Sequence, residues 1–180
     1  VELSREELLA RYTAAKQTET HERRSPFKFL DSYDASDADI FFGRDAEIRE
    51  LLRHFHNGHV LIYGQSGCGK SSLVQCGLRS RIPESDAIFV PLRVHATALP
   101  TVGFQICEAA SSQVGFEVSG AFETDLVGTL KKVYEDISLP IVLFFDQFEE
   151  LFIFHDAEIR QHFATQLAAI YNAKLNVKVI

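Results

Sequence analysis

The chain has 180 residues, of which 46% are hydrophobic and 24% are charged, and its formal net charge is −7. This composition is typical of a soluble globular domain with one substantial core, and no run approaches the roughly eighteen apolar residues that a membrane-spanning helix needs. The acidic balance argues against a broad nucleic-acid-binding surface, because phosphate backbones are bound through clustered Lys and Arg.

Residues 1–25 are predicted to be a helix and a linker that belong to an upstream domain. Ser4 and Glu7 form a capping box ahead of a thin apolar stripe, and the polar run up to Ser25 has no apolar periodicity. We therefore predict that a second domain occupies residues 26–180. The chain begins with Val1 and contains no Met, so we interpret it as an internal piece of a longer polypeptide.

The next 32 positions, residues 26–57, predict an irregular segment and then a helix. Residues 26–39 alternate aromatic side chains with turn-forming Asp and Ser, which favours a surface segment without regular structure. Its expected anchors are Phe27, Phe29 and Leu30. Asp45 can cap a helix that ends at Asn57 and Gly58. The apolar face of this helix consists of Ile48, Leu51, Leu52 and Phe55.

Apolar runs and helical periodicities then alternate to the end of the sequence. The predicted strands are residues 59–63, 87–94, 140–146 and 177–180. One helix is predicted over residues 101–112. The buried face of a second helix consists of Phe122, Leu126, Leu130, Val133 and Ile137. A third is capped by Asp156, and its inward face consists of Ile159, Phe163, Leu167, Ile170 and Tyr171. This alternation predicts an α/β fold with a parallel sheet covered by helices on both faces.

The sequence GQSGCGKS at residues 64–71 matches the Walker A pattern G-x-x-x-x-G-K-[ST] between a predicted strand and a predicted helix. Glycines let backbone N–H groups surround a phosphate, and the helix that begins near Gly69 adds its positive dipole end. We expect Lys70 to contact the β- and γ-phosphates, Ser71 to offer its hydroxyl to Mg²⁺, and Ser72 to reach the α-phosphate. The predicted nucleotide-binding residues of this loop are Gly64, Gln65, Ser66, Gly67, Cys68, Gly69, Lys70, Ser71 and Ser72.

Cys68 lies inside this loop, and two environments are open for its thiol. It is either exposed beside a helix N-terminus and protected from alkylation by Mg·ATP, or turned into the core as an inert apolar side chain. Cys76 and Cys107 are expected on packed helices. An odd number of cysteines without a C-x-x-C pair indicates neither a disulfide framework nor a zinc site, and favours the reducing cytoplasm.

An acidic group follows the apolar strand IVLFFD. Asp146 ends this strand at the predicted sheet edge of the loop, where a Walker B carboxylate holds Mg²⁺. Glu149 or Glu150 can orient and deprotonate an attacking water, and the sequence leaves open which of them does so. Alternatively, both are the solvated acidic start of the next helix. The predicted catalytic residues are Lys70, Asp146, Glu149 and Glu150, and the predicted metal ligands are Ser71 and Asp146.

Three segments together resemble the novel STAND branch of the signal-transduction ATPases with numerous domains, which is related to the AAA+ proteins. They are FFGRDAEIRELL, GQSGCGKSSLVQCGL and VLFFDQFEELF. The resemblance covers residues 26–180 and implies a three-layer P-loop NTPase sandwich with the ASCE strand order 5-1-4-3-2. It also implies that the chain stops in the fourth strand, before further strands and lid domains, so that the domain is incomplete. By the same resemblance, Phe42, Gly43 and Arg44 are adenine-side contacts.

The resemblance implies an ATP-hydrolysing switch that controls oligomerisation and effector activation in a multidomain protein of bacterial antiphage defence. An upstream effector, a downstream sensor and a homo-oligomer formed through this domain are the implied partners. One alternative is an initiator-like AAA+ ATPase that loads DNA, against which the acidic charge and the DQFEE spacing count. Another is a nucleotide-binding scaffold with little hydrolysis. A small-molecule kinase is disfavoured because no Arg-rich lid is evident.

Overall fold

The computed structural model of the chain describes residues 26–29, 31–93, 99–118 and 125–180. The predicted helix of residues 1–20, Leu30 and Phe122 lie outside the described residues, and the boundary at Ser25 stays a prediction. The chain divides into two compact units, Val1–Asp31 and Ser32–Ile180.

In the first unit, the expectation that Phe27 and Phe29 are anchors is wrong, since their side chains are 79% and 103% exposed. Asp31 N donates to Lys28 O at 2.8 Å and closes a turn. Phe29 stands at the tip of that turn with a φ of 46°. The side chain at the tip of a turn points away from the two chain segments that the turn joins.

Among its described residues, the second unit contains six helices numbered α1 to α6, one short 3-10 helix and three strands. Helix α1 is Asp45–Asn57, and helix α2 begins as Lys70–Ser72, continues with π-helical hydrogen bonds over Leu73–Leu78 and closes with a 3-10 turn at Arg79–Arg81. They are followed by β1 (Ile88–Arg93), α3 (Leu99–Val114), α4 (Leu126–Ile137), β2 (Ile141–Asp146), α5 (Glu150–Phe154), α6 (Ala157–Asn172) and β3 (Val177–Val179). A short 3-10 helix, Ala35–Asp37, precedes α1.

The three strands form a parallel sheet in the order β1-β2-β3, which confirms the predicted α/β class. In register, Arg93 lies beside Asp146, and Ile141 lies beside Val177. Residues of β2 alternate between two cores, as the pleat of a strand requires. Leu143 packs with α3, α4 and α6, and Phe144 packs with α1 and α2. The sheet is therefore covered on both faces, as expected for buried parallel strands.

The predicted strand of residues 59–63 is wrong. Val60 N donates to Val179 O at 2.9 Å, but Leu61 and Tyr63 are 81% and 88% exposed, and no ladder is formed. The reason lies in a side chain. The imidazole Nδ1 of His59 accepts the N–H of Val179 at 3.0 Å, and so takes a backbone donor that a strand ladder would use.

The predicted helix ends and buried helix faces agree with the structure only in part. Asp156 caps α6 by accepting the N–H of Ile159, as predicted, whereas Asp45 is the first residue of α1 and Arg44 holds the N-cap position. The inward placement of Ile159 and Tyr171 is also wrong, since they are 38% and 68% exposed. Tyr171 follows the buried Ile170, and successive helix residues are rotated by about 100°.

The remaining helix faces are confirmed within the described residues. The buried side chains are Ile48, Leu51, Leu126, Leu130, Val133, Phe163 and Ile170, and the half-buried ones are Leu52, Phe55, Ile137 and Leu167.

Candidate functional site

The glycine-rich loop, residues 64–69, joins the segment that lies beside β3 to the first turn of α2. Gly67 and Gly69 have φ values of +76° and +89°, which side chains with a Cβ rarely adopt. Cys68 N donates to Gln65 O at 3.4 Å, so the loop folds back on itself immediately before Lys70. These glycines allow the tight curvature that a phosphate-wrapping loop requires.

Lys70, the first residue of α2, holds the two ends of the loop together. Its ammonium Nζ donates to Gly64 O at 3.0 Å and to Gln65 O at 3.1 Å. A lysine ammonium has three N–H donors, so these bonds engage two of them. The cation therefore lies against the loop, and within the part of the chain that the structure describes its third donor is open to an anionic oxygen.

Ser71 and Asp146 meet although 75 positions separate them. Ser71 Oγ donates to Asp146 Oδ1 at 2.7 Å. The same carboxylate oxygen accepts the N–H of Gln147 at 3.1 Å. Asp146 is the last residue of β2, and the parallel sheet brings this end of the strand to the first turn of α2. The hydroxyl and the carboxylate form a pair of hard oxygen donors.

The turn after β2 places a glutamate near this pair. Gln147 has a φ of 55°, an uncommon conformation for a residue with a side chain, and it starts the turn that carries Glu149. Glu149 is exposed and lines a cavity of about 350 Å³ together with Lys70 and Asp146. Glu150 begins α5, and its side chain is half-buried. The geometry brings Glu149 into the same cavity as Lys70 and Asp146.

Ser72 faces a different element from Ser71. Its side chain is 9% exposed, and its Oγ accepts the N–H of Tyr33 at 3.1 Å. The expected reach of Ser72 to an α-phosphate stays a prediction. What the structure places at this hydroxyl is the backbone of the segment that precedes α1.

Of the three residues expected on the adenine side, Arg44 contacts the loop. Arg44 Nη2 donates to Cys68 O at 3.2 Å, and its Nη1 pairs with Glu47 Oε1 at 2.9 Å. A backbone hydrogen bond and then the bond from Arg44 lower the pKa of Glu47. Gly43 has a φ of +80°, and Phe42 is 76% exposed. Arg44 thus contacts the loop directly, with Phe42 and Gly43 next to it in the chain.

The three cysteines differ in exposure, and Cys68 has the exposed thiol of the first alternative. Cys68 is exposed, whereas Cys76 and Cys107 are buried. Burial, and then the charge of Asp136, raise the pKa of the Cys107 thiol. Cys68 is therefore the accessible thiol of the three.

Sequence reasoning missed two residues of this site. Tyr33 acts through its backbone N–H, which no residue-type pattern can reveal, and its partner is 39 positions away. Gln147 adopts a positive φ although Gly and Asn are the residues that usually do so. Only its place directly after Asp146 offered a signal.

Comparison with known proteins identifies one family. The family model described as Novel STAND NTPase 1 matches residues 26–180. No curated protein and no solved structure matches the chain. Across the described ranges, every helix is too short or too polar to cross a membrane. The same ranges contain no group of three or more His, Cys, Asp or Glu side chains that could hold a metal ion by themselves.

Proposed function

The chain belongs to the novel STAND NTPase 1 family, whose members have nucleotide-hydrolysing potential, and from this premise we propose that it binds Mg·ATP and hydrolyses it as a switch module. The observation that carries the proposal is the 2.7 Å hydrogen bond between Ser71 Oγ and Asp146 Oδ1. It joins the residue after the loop lysine to the carboxylate at the end of β2. These are the two positions that a Walker A and a Walker B motif contribute to a magnesium site.

The donor set suits Mg²⁺ without a cluster of carboxylates. Mg²⁺ prefers oxygen ligands, keeps several waters, and is bound in ATPases through one or two carboxylates together with substrate phosphates. Ser71 and Asp146 would hold the ion, which neutralises phosphate charge when bound. This fits a site in which two protein oxygens lie together at one sheet edge.

The side chains around the phosphates have separate roles in the proposed reaction. Lys70, whose ammonium lies against the loop, contacts the β- and γ-phosphates and stabilises their charge. Glu149 takes a proton from a water as that water attacks the γ-phosphorus and ADP leaves. Its exposure and its place in the cavity of Lys70 and Asp146 support this assignment over Glu150.

The first test removes the loop lysine. We expect Lys70→Ala to reduce ATP affinity at least about tenfold and to abolish turnover, because a charge-assisted bond to phosphate contributes about 1.5–3 kcal/mol. The matched control is Lys131→Ala, which removes an exposed lysine of α4. Isothermal titration and phosphate release measure the two effects. Unchanged affinity and turnover in Lys70→Ala would refute the ATP site.

A second test separates the three carboxylates. Glu149→Gln should retain Mg·ATP binding while its turnover falls by roughly 10²–10⁴. Asp146→Asn should instead weaken the dependence on Mg²⁺, and Glu150→Gln should leave turnover within about threefold of the wild type if Glu149 is the base. If neither Glu variant slows hydrolysis while retaining binding, the catalytic assignment is wrong. A wild-type protein that binds ATP without turnover would be the scaffold alternative.

The proposal also covers the strand order of the sheet and the biological role of the chain. Numbered along the chain, the four predicted strands are residues 59–63, 87–94, 140–146 and 177–180. Although residues 59–63 form no ladder, the hydrogen bond from Val60 N to Val179 O shows that the first of these segments lies beside the fourth, which is β3. This neighbour relation supports the ASCE order 5-1-4-3-2. We also propose that residues 1–25 join the module to an upstream effector, and that it assembles as a homo-oligomer in the cytoplasm for antiphage defence. Sedimentation with and without Mg·ATP tests the assembly step, and a nucleotide-independent monomer would contradict it.

A further inference from the structure

A hydrogen bond from Arg44 holds one peptide group of the glycine-rich loop. Arg44 Nη2 donates to Cys68 O at 3.2 Å, and this carbonyl belongs to the peptide group between Cys68 and Gly69. That peptide group is trans, so its C=O and its N–H point in opposite directions. Because the carbonyl is held toward Arg44, the N–H of Gly69 points away from Arg44.

Gly69 gives this peptide group the freedom to rotate. Its φ is +89°, in the left-handed region, and glycine adopts positive and negative φ values with similar ease. A peptide group beside a glycine can therefore flip, which exchanges the directions of its C=O and its N–H. Since a flip would break the hydrogen bond from Arg44, this bond favours one of the two orientations.

The guanidinium group of Arg44 is itself held in place. Its Nη1 pairs with Glu47 Oε1 at 2.9 Å, so two of its nitrogens have separate partners. Arg44 is the N-cap residue of α1, and the buried Ile48 of that helix packs against Gly77 of α2. The planar guanidinium thus extends from a packed helix, and its rigid fork loses less freedom for each hydrogen bond than a lysine side chain would.

The orientation of this peptide group bears on the proposed ATP site, because backbone N–H groups surround the phosphates in such a loop. Gly69 immediately precedes Lys70, whose ammonium lies against the same loop through Gly64 O and Gln65 O. An N–H group that is already oriented loses less freedom when a phosphate binds, and preorganisation of this kind increases affinity.

We propose that Arg44 is a positioning residue for the glycine-rich loop, and that it holds the peptide group between Cys68 and Gly69 in the orientation that binds phosphate. This rests on the proposed ATP site. Arg44 acts through the backbone of the loop, so its effect is the same for every ligand whose phosphates the loop binds. The family resemblance implies a different role for Arg44, an adenine-side contact, whose effect would require a base.

The experiment compares ATP, ADP and inorganic tripolyphosphate, each with Mg²⁺, by isothermal titration on the whole chain. The side chain of Arg44 is 47% exposed, and Arg44→Ala should raise each Kd about three- to tenfold, the range expected for one hydrogen bond. The three factors should agree within about twofold, because the same loop contact serves all three ligands. Arg44→Lys keeps a charged donor and should bind all three more tightly than Arg44→Ala.

Arg53→Ala is the matched control on the same helix. Arg53 Nη2 lies 3.9 Å from Glu50 Oε1, so Arg53 also pairs with a glutamate three positions away, as Arg44 does. It is about 13 Å farther along α1, and its removal deletes the same charge without touching the loop. The three Kd values of Arg53→Ala should equal those of the wild type. Thermal melting of each variant verifies that it is folded.

A measurement without ligand tests the positioning role by itself. NMR relaxation of the ¹⁵N-labelled chain reports the motion of the Gly69 N–H on the ps–ns and the μs–ms timescales. Arg44→Ala should increase this motion on at least one of them, whereas Gly115, which has a φ of +77° and follows α3, should not change. Unchanged motion of the Gly69 N–H on both timescales would overturn the inference.

The three ligands separate this inference from the ATP site itself. Losses in Arg44→Ala for ATP and ADP alone would show a contact with the nucleoside, and losses for ATP and tripolyphosphate alone would show a contact with the terminal phosphate. Either pattern, or unchanged affinity for all three ligands, would overturn the inference and leave the ATP site standing. A wild-type chain that binds none of the three would refute the proposed ATP site, and the inference with it.

Discussion

Replacement of Gly77 by Ala puts a methyl group between α2 and the Ile48 side chain of α1. A Cβ built on Gly77 lies 2.8 Å from Ile48 Cγ1, 3.1 Å from Ile48 Cδ1 and 3.5 Å from Phe41 Cε1. Carbon atoms in contact are normally about 3.5–4.0 Å apart. Ile48 is 2% exposed, and its Cγ1 is near the backbone, so the side chain cannot simply swing away. Either α1 or α2 has to shift.

Two opposing effects determine how much Gly77→Ala changes the free energy of unfolding. Inserting a methyl group into a packed core typically costs about 1–3 kcal/mol. Ala is better than Gly in a helix by roughly 0.5–1 kcal/mol, which offsets part of that cost. We therefore expect Gly77→Ala to lower the free energy of unfolding by about 1 kcal/mol. For a chain of this size, that corresponds to a decrease in Tm of about 2–4 °C.

Thermal and urea unfolding, followed by circular dichroism, measure the change. Gly128→Ala in α4 is the matched control, because its Cβ also lies 2.8 Å from another atom, but that atom is the Oδ2 of Asp125. Asp125 is exposed and caps α4 by accepting the N–H of Val127 through Oδ1, so only its Oδ2 end has to move, and this variant should be close to neutral. Removal of the obstructing side chain in Ile48→Ala should abolish the penalty of Gly77→Ala in the double variant. A Tm that rises equally in Gly77→Ala and Gly128→Ala would refute the packing argument.

Mg·ATP should slow the alkylation of the exposed Cys68 by maleimide, while the buried Cys107 reacts slowly with or without nucleotide. Mass spectrometry of labelled peptides measures this, and equal labelling of Cys68 in both conditions would contradict the loop as the nucleotide site. His59 Nδ1 accepts the N–H of Val179, and burial, followed by the charge of Lys178, lowers its pKa from the ordinary 6.5. The unfolded chain therefore binds the proton more readily, so the stability from this residue is present above about pH 6.5 and is lost as the pH falls toward the lowered folded pKa. Melting temperatures should decrease below that pH, and His59→Gln should reduce the decrease; an identical pH profile in the variant would refute this role.

Short sequence patterns predict most of the elements of the fold. The run of apolar residues that ends at Asp146 was predicted as a buried strand, and β2 is buried over its five apolar positions. Asp156 was predicted as a cap from its residue type and the spacing that follows, since a carboxylate can accept an N–H two or three positions later. The glycines of the loop predicted a backbone that can surround a phosphate, and two of them, Gly67 and Gly69, have the positive φ values that few other residues adopt. Such features depend on neighbours within one or two turns of the chain.

By itself, the sequence determined the class of fold, the position of the glycine-rich loop and the carboxylates that follow β2, because each is a property of residue type and short spacing. Only the tertiary structure decided that His59 takes a backbone donor of β3, so that residues 59–63 form no strand. It also decided that Ser72 holds Tyr33, and that Glu149 lies in the cavity of Lys70 and Asp146. These hydrogen bonds join residues that are 39 and 120 positions apart in the chain. They depend on how the helices pack on the sheet, and a local sequence pattern does not determine that packing.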